Sequence, residues 1–364
     1  MPVFFILLLV SYLLGNIYVF VRGLQALGQI SLVFKGIYCT VFWTIALLLF
    51  VIMLLRGSKQ IPVSLGHTLF QIGSGWLVFI LYMVIFLACT DLFRVFNSSY
   101  HYGYHLSLLL TISLLIYGYI HYQHPVKQVI NISVNKPAPQ QDKLKIVAVS
   151  DWHLGFGTNL KRLRKDIDRI NAEKPDLILI AGDLIDNDVT PVITQEMEKE
   201  LNRLQASMGI YMAPGNHEYI SGINQCMEFI NKTDIQLLKD SVATLPCGVQ
   251  IIGRDDFSNR NRLSAHDWKN LIDPSKPIIL LDHQPSHLDD AQTINADIQF
   301  SGHTHNGQFI PFNLVTKYLF ELSYGYKKTG DTHYYVTSGI ALWGPPFRIG
   351  TDSEIVVFEC FFAK

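Results

Sequence analysis

The first 122 residues of this 364-residue chain almost lack charge. Only Arg22, Lys35, Arg56, Lys59, Asp91 and Arg94 occur there, so 53 of the 59 acidic and basic side chains fall in the remaining 242 positions. Water cannot be the main solvent of such a segment. Four apolar stretches, about 2–21, 36–55, 69–90 and 104–122, are each close to the ~20 residues that cross a bilayer core. A cleaved leader would carry a basic region ahead of a shorter apolar run, and the first stretch has neither, so it is expected to stay as a span. Four long, nearly uncharged segments in succession also exclude the buried helices of a water-soluble core.

Other things are missing too. The five cysteines show no pairing or metal-ligand spacing, with Cys39 and Cys89 in expected spans and Cys226, Cys247 and Cys360 scattered. A disulfide framework is thereby excluded, and small buried hydrophobes are expected instead. There is no basic excess. The net charge is −1, and residues 1–122 carry +4, so the rest carries −5. A mildly acidic soluble part argues against a nucleic-acid partner, whose footprint is a basic face. No internal repeat or extended low-complexity segment appears.

What the rest of the chain does contain is a series of metal-ligand residues, each where an expected strand ends. Leu144 to Val149 is a β-rich run followed by Ser150-Asp151-Trp-His153, and Leu177 to Ala181 closes on Gly182-Asp183. Gly209 to Ala213 leads into Pro214-Gly215-Asn216-His217, Pro277 to Leu281 into Asp282-His283, and Asp297 to Phe300 into Ser301-Gly302-His303-Thr-His305. Short apolar runs bounded by turn residues read as buried strands. Loops converging from several strand ends at one sheet edge are what a two-metal site requires. His283 competes with His287, and is preferred because it closes the strand and precedes Gln284-Pro285.

Between the first two strands, Leu160, Leu163, Ile167 and Ile170 recur at helical spacing with Lys, Arg and Asp opposite, which predicts a crossover helix and a parallel βαβ unit. Strands over 250–252, 334–337 and 354–358 would extend the structure. The expected fold is an N-terminal region of four transmembrane helices (1–122), a linker (123–143) holding a short strand, and an α/β domain (144–364) of two packed mixed sheets flanked by helices.

At these residues the chain resembles the calcineurin-like metallophosphoesterases. The family pattern of D-x-H, G-D, G-N-H-[D/E], H and G-H-x-H is met in order by Asp151-Trp-His153, Gly182-Asp183, Gly215-Asn216-His217-Glu218, His283 and Gly302-His303-Thr-His305. Ser301 to Gln308, Tyr335 to Gly339, Pro346-Phe-Arg348 and Glu354-Ile resemble the membrane-linked bacterial branch, where Asn306 is a departure from a usual glycine. The resemblance implies a hydrolase of phosphoric esters or pyrophosphates using two divalent ions. Such ions sit about 3.5–4 Å apart, share a bridging carboxylate and activate a hydroxide for in-line attack. Asp183 is the expected bridge. By resemblance, Asp151, His153 and His305 complete the first site, and Asn216, His283 and His303 the second. Mixed imidazole, carboxylate and amide ligands suit Mn, Fe, Zn, Ni or Co, with identity open. His217 is the expected general acid, and Glu218 a supporting or helix-start residue.

Tethering such a domain to four spans points to a lipid-borne phosphoester or pyrophosphate, for example a phospholipid headgroup or a nucleotide-activated glycolipid such as UDP-2,3-diacylglucosamine. Arg254, Arg260 and Arg262 would grip a headgroup or lie on a solvated loop, and Trp343, Pro345, Pro346 and Phe347 would form an apolar rim or pack in the core. Four spans place both termini on one side. Arg56, Lys59, Lys127 and Lys136 against Arg22, Lys35 and Arg94 tilt the α/β domain toward the cytoplasm of a bacterial inner membrane. The competing reading is a membrane sensor that binds a phosphorylated ligand without turnover, a class usually marked by lost ligands.

Overall fold

A computed structural model describes residues 2–55, 61–139 and 141–363. The chain divides into two compact units, Met1–His121 with Gly344–Phe347, and Tyr122–Trp343 with Arg348–Lys364. Arg56 and Lys59 lie outside the described residues.

The first unit is built on α1 (Pro2–Leu27), α2 (Leu32–Leu54), α3 (Val63–Phe96) and α4 (Gly103–Tyr122). Among the described residues these four are long and apolar enough to cross a membrane. Helices suit that medium because every backbone hydrogen bond closes within the segment. Large apolar side chains such as Leu7, Leu32, Leu54 and Phe96 face outward, as lipid contact requires. Inside, α2 and α3 touch where Gly73 meets the backbone of Leu49, a close approach that small residues permit. Several polar groups pair across the helices. Trp76 Nε1 donates to Asn16 Oδ1 at 2.9 Å, and Asp91 accepts from both Arg22 and the Tyr18 hydroxyl.

The second unit holds two six-stranded mixed sheets. In one the order is β1 (Val126–Pro137), β12 (Glu354–Ala363), β2 (Lys143–Val149), β3 (Leu177–Ala181), β4 (Ile210–Ala213) and β5 (Ile235–Leu237). In the other it is β10 (Gly325–Thr329), β11 (Thr332–Val336), β9 (Ile298–Ser301), β8 (Ile278–Leu281), β7 (Gln250–Gly253) and β6 (Ser241–Thr244). Strand alternation sorts the core into layers. Ile146, Ala148, Leu177 and Leu179 share a cluster with Ile279, Leu281 and Phe300 of the other sheet, while Val147, Val149, Ile178 and Ile180 turn to the opposite face. There they meet Leu163, Ile167 and Ile170 of the crossover helix α5 (Leu160–Ala172). Asn159 caps that helix by accepting from the Arg162 amide at 3.1 Å, satisfying one of its free N–H groups.

Within the segment expected to be a linker, Val126–Pro137 forms β1 and pairs in parallel with β12. Its register matters for the site. Val126 pairs with Glu354, and Val356 of the antiparallel partner pairs with Ala148. The edge at which β1 opens, just after Tyr122, is therefore the edge at which β2 ends in Ser150-Asp151.

Candidate metal centre

Five strand ends, three from that sheet and two from the other, deliver the expected residues to one place. The loop after β2 carries Asp151 and His153, that after β3 Asp183, that after β4 Asn216, that after β8 His283, and that after β9 His303 and His305. Buried strands fix where each loop starts, and the loops themselves are sharply bent. Asp151, His153, Asp183, His303 and His305 all have positive φ, between 47° and 72°, a left-handed region uncommon for residues with a Cβ. Strain of this kind persists only where surrounding structure enforces it. Gly182, at φ 77°, is required by space as well, since a Cβ there would come within 2.7 Å of Gly215 and of His283 Nδ1.

The donor atoms form two adjoining groups. In the first, His153 Nε2 faces His305 Nε2 at 3.1 Å, and Asp151 Oδ1 lies 3.4 Å from His305 Nε2 and 3.8 Å from His153 Nε2. In the second, Asn216 Oδ1 lies 2.9 Å from His303 Nδ1 and 3.2 Å from His283 Nε2. Asp183 Oδ2 belongs to both, 3.7 Å from His153 Nε2 and 3.1 Å from His283 Nε2. Its other oxygen is occupied by the His217 amide at 2.8 Å. A metal fits this donor set. Among the described residues the ion-pair partners of Asp151, Asp183 and Asp186 are histidines only, and buried carboxylates without a cation are costly. His283 Nδ1 sits 2.6 Å from the Ala181 carbonyl, so donation there leaves the Nε2 lone pair facing inward, as metal-ligating imidazoles require.

Electrostatics tell the same story. Burial favours neutral imidazole and, with the charge on His283, pushes His303 down to about 4. Burial and the charge on His153 push His305 down to about 3. Burial also opposes a charged His153, but the carboxylates of Asp151, Asp186 and Asp183 prevail and carry it up to about 10. The carboxylates thus demand positive charge, which protons supply in part and divalent cations would supply in full. Asp183 is held well below the usual carboxylate range, since the neighbouring His283 outweighs its burial.

The residues around the donors include several that the strand-end pattern does not single out. Asp186 Oδ1 lies 2.8 Å from His217 Nδ1 and 3.4 Å from His153 Nδ1. The second carboxylate in Gly182-Asp-Leu-Ile-Asp186 is its only sequence signal. Glu218 accepts the amides of Asp183 and Ile185 at 3.0 Å and that of Gly215 at 2.7 Å, and burial together with the Asp183 charge pushes it up to about 7. Fully buried Arg348 donates to the His305 carbonyl at 2.7 Å, and also to the carbonyls of Ser338 and Ala341. His287 is exposed, its ring against Phe257. Arg254 is buried between Asp282 and Asp290, and Arg262 packs on Phe257 beside Asp282, so both guanidiniums are already engaged. Trp343 is half-exposed, with its ring 6.2 Å from that of His217.

With this geometry in place, the comparisons with known proteins are direct. The family model for calcineurin-like phosphoesterases matches residues 144–307. An uncharacterized metallophosphoesterase of Bacillus subtilis is 31% identical over 60% of this chain and 79% of its own. The chain belongs to the calcineurin-like metallophosphoesterases. An uncharacterized metallophosphoesterase of Campylobacter jejuni is 29% identical over 98% of both chains. A zebrafish (Danio rerio) relative, a transmembrane protein with metallophosphoesterase domain, is 31% identical over 69% of this chain and 61% of its own. With four apolar helices as well, this metallophosphoesterase is an integral membrane protein.

Proposed function

We propose that this metallophosphoesterase hydrolyses a phosphomonoester, phosphodiester or pyrophosphate carried on a lipid. The observation that supports the reading best is the convergence of two donor groups on Asp183 Oδ2. In this reading Asp151, His153 and His305 would hold one divalent ion and Asn216, His283 and His303 a second, with the Asp183 carboxylate available to both. Two bound ions would supply Lewis acidity and activate water for attack on phosphorus. His217 carries no such duty. Its ring lies between Asp186 and Trp343, where a protonated imidazole can donate to the departing oxygen. Asp186 Oδ1, 2.8 Å from the ring Nδ1, orients the imidazole. Glu218 ties the Asp183 loop to the Asn216 loop through three backbone amides, so the bridge and the acid keep their spacing. The α/β domain is assigned to the cytoplasmic face of a bacterial inner membrane, from the lysines near its start. A sensor without turnover would tolerate loss of a ligand or of the acid, and each expected residue is present.

The test is a panel of phosphoesters offered to detergent-purified full-length protein with added Mn, with lipid substrates beside their water-soluble headgroup analogues. Hydrolysis with a higher kcat/KM on the lipid forms is expected. Metal binding with no hydrolysis of any ester would favour the sensor instead, and equal efficiency on both forms would remove the lipid from the reading.

A further inference from the structure

The helix Phe312–Leu319 is inside out. At helical spacing, Phe312, Leu314, Val315, Tyr318 and Leu319 fall on one side, and Asn313, Thr316 and Lys317 on the other. A surface helix normally turns its apolar side to the core. Here no residue of the helix is buried, and the apolar side is the exposed one: Tyr318 is 90% exposed, Leu319 66% and Leu314 64%. The half-buried residues are polar. They are Asn313 and Thr316, and Thr316 Oγ1 donates back within the helix to the Asn313 carbonyl at 3.1 Å. Ile310, just before the helix, is exposed as well. A contiguous apolar face of this size on a folded domain marks a surface that something apolar covers.

The site lies at both ends of this helix. Its first turn is pinned to the metal loop where Gly307 meets the backbone of Phe312 and Asn313. Just past its last residue, the ring of Phe320 stands 6.0 Å from that of His303. Trp343, exposed beside His217, donates its amide to Gln308 Oε1 at 3.2 Å, which adds a second apolar group to the same loop. Lys317 sits at the border of the apolar side and is exposed, where an amphipathic interfacial helix places the lysine that reaches headgroup phosphates.

We infer that the Phe312–Leu319 helix dips its apolar side into the bilayer surface and thereby sets the metal cluster at the level of lipid headgroups. The bilayer is the occupant because the chain is an integral membrane protein, and because β1 opens, just after the fourth span, at the sheet edge that carries the metal loops. The inference adds a docking element to the proposed function and rests on it only for the benefit to catalysis. Binding of the helix to lipid needs no turnover.

The experiment places the photocrosslinker p-benzoylphenylalanine at Tyr318, and separately at Leu314, in full-length protein reconstituted in phosphatidylcholine liposomes, with Lys165 on the exposed side of α5 as the control position. A lipid adduct from both Tyr318 and Leu314, and none from Lys165, is expected. Absence of lipid adducts at both positions overturns the inference. A chain-to-chain adduct in their place also overturns it, assigning the face to a second copy. Both positions are solvent-exposed, so neither replacement disturbs packing, and Val315 on the same side repeats the test. Because adducts form without substrate, failure here leaves the phosphoesterase reading standing, and an inactive enzyme leaves this inference standing.

Discussion

The two units treat charge in opposite ways. In the helical unit, Asp91 is matched at once by Arg22 and the Tyr18 hydroxyl, and the surface is Leu, Ile, Val and Phe. In the α/β unit, Asp151, Asp183 and Asp186 are buried together with no lysine or arginine paired to them among the described residues. Lipid admits a charge only when its partner is already in the protein. A metal centre does the reverse, gathering uncompensated carboxylates and lone pairs for a partner that arrives from solution. The comparison separates charge that holds structure from charge that waits for a ligand, and mutations should separate them too.

The largest effect is expected at Asp183. Asp183→Asn removes the carboxylate common to both donor groups, so hydrolysis should fall about a thousandfold or more, with loss of bound metal. Activity near that of the parent with two ions retained, measured by turnover and elemental analysis, would break the claim that this oxygen is shared. A centre with nothing waiting for metal would behave that way.

His217 and Asp186 come next and test whether charge at the site is graded. His217→Ala should keep its metal yet slow esters with poor leaving groups by about 100- to 10,000-fold, with far less loss on nitrophenyl esters, which need little protonation. Asp186→Asn leaves the imidazole in place and weakens only its orientation. A loss of about 10- to 100-fold with the same leaving-group bias is expected. Equal losses on both ester types for either variant would remove proton donation from the account.

The legible part of this protein is its strands and their last residues. Ser150-Asp151, Ala181-Gly182-Asp183 and Ser301-Gly302-His303 stand out because a buried strand needs an unbroken apolar run, and the run's end is visible in one dimension. The four spans are legible for the same reason. Asp186 and the contact made by Arg348 are not, because each acts by reaching another loop, Asp186 to His217 and Arg348 to the His305 carbonyl. No local pattern records such a contact. The loop 254–262 shows the converse. In sequence its arginines read either as headgroup ligands or as a solvated loop, whereas Arg254 is buried against Asp282, just past β8, and Asp290 of the following helix. The inverted helix at 312–319 is hidden more deeply, since its amphipathic pattern is ordinary and only the fold shows which side faces out.

The smallest effect belongs to the helical unit, where the comparison is sharpest. Arg22 and Asp91 are on α1 and α3, and their side chains are 17% and 33% exposed, so solvent at the bundle end weakens the attraction. Removing both charges should therefore cost little more than removing one, because most of the penalty of a single substitution is the charge left behind without its partner. A double-mutant cycle of Arg22→Ala and Asp91→Ala, read by unfolding of the full chain in detergent, should give a coupling of about 1 kcal/mol, near the range of polar contacts between membrane helices. Hydrolysis should hold in the double variant, since nothing in the proposed chemistry draws on either residue. A coupling near zero would show that this pair is decoration at a wet interface. Loss of hydrolysis with the fold intact would show that charge in the helical unit also serves the site.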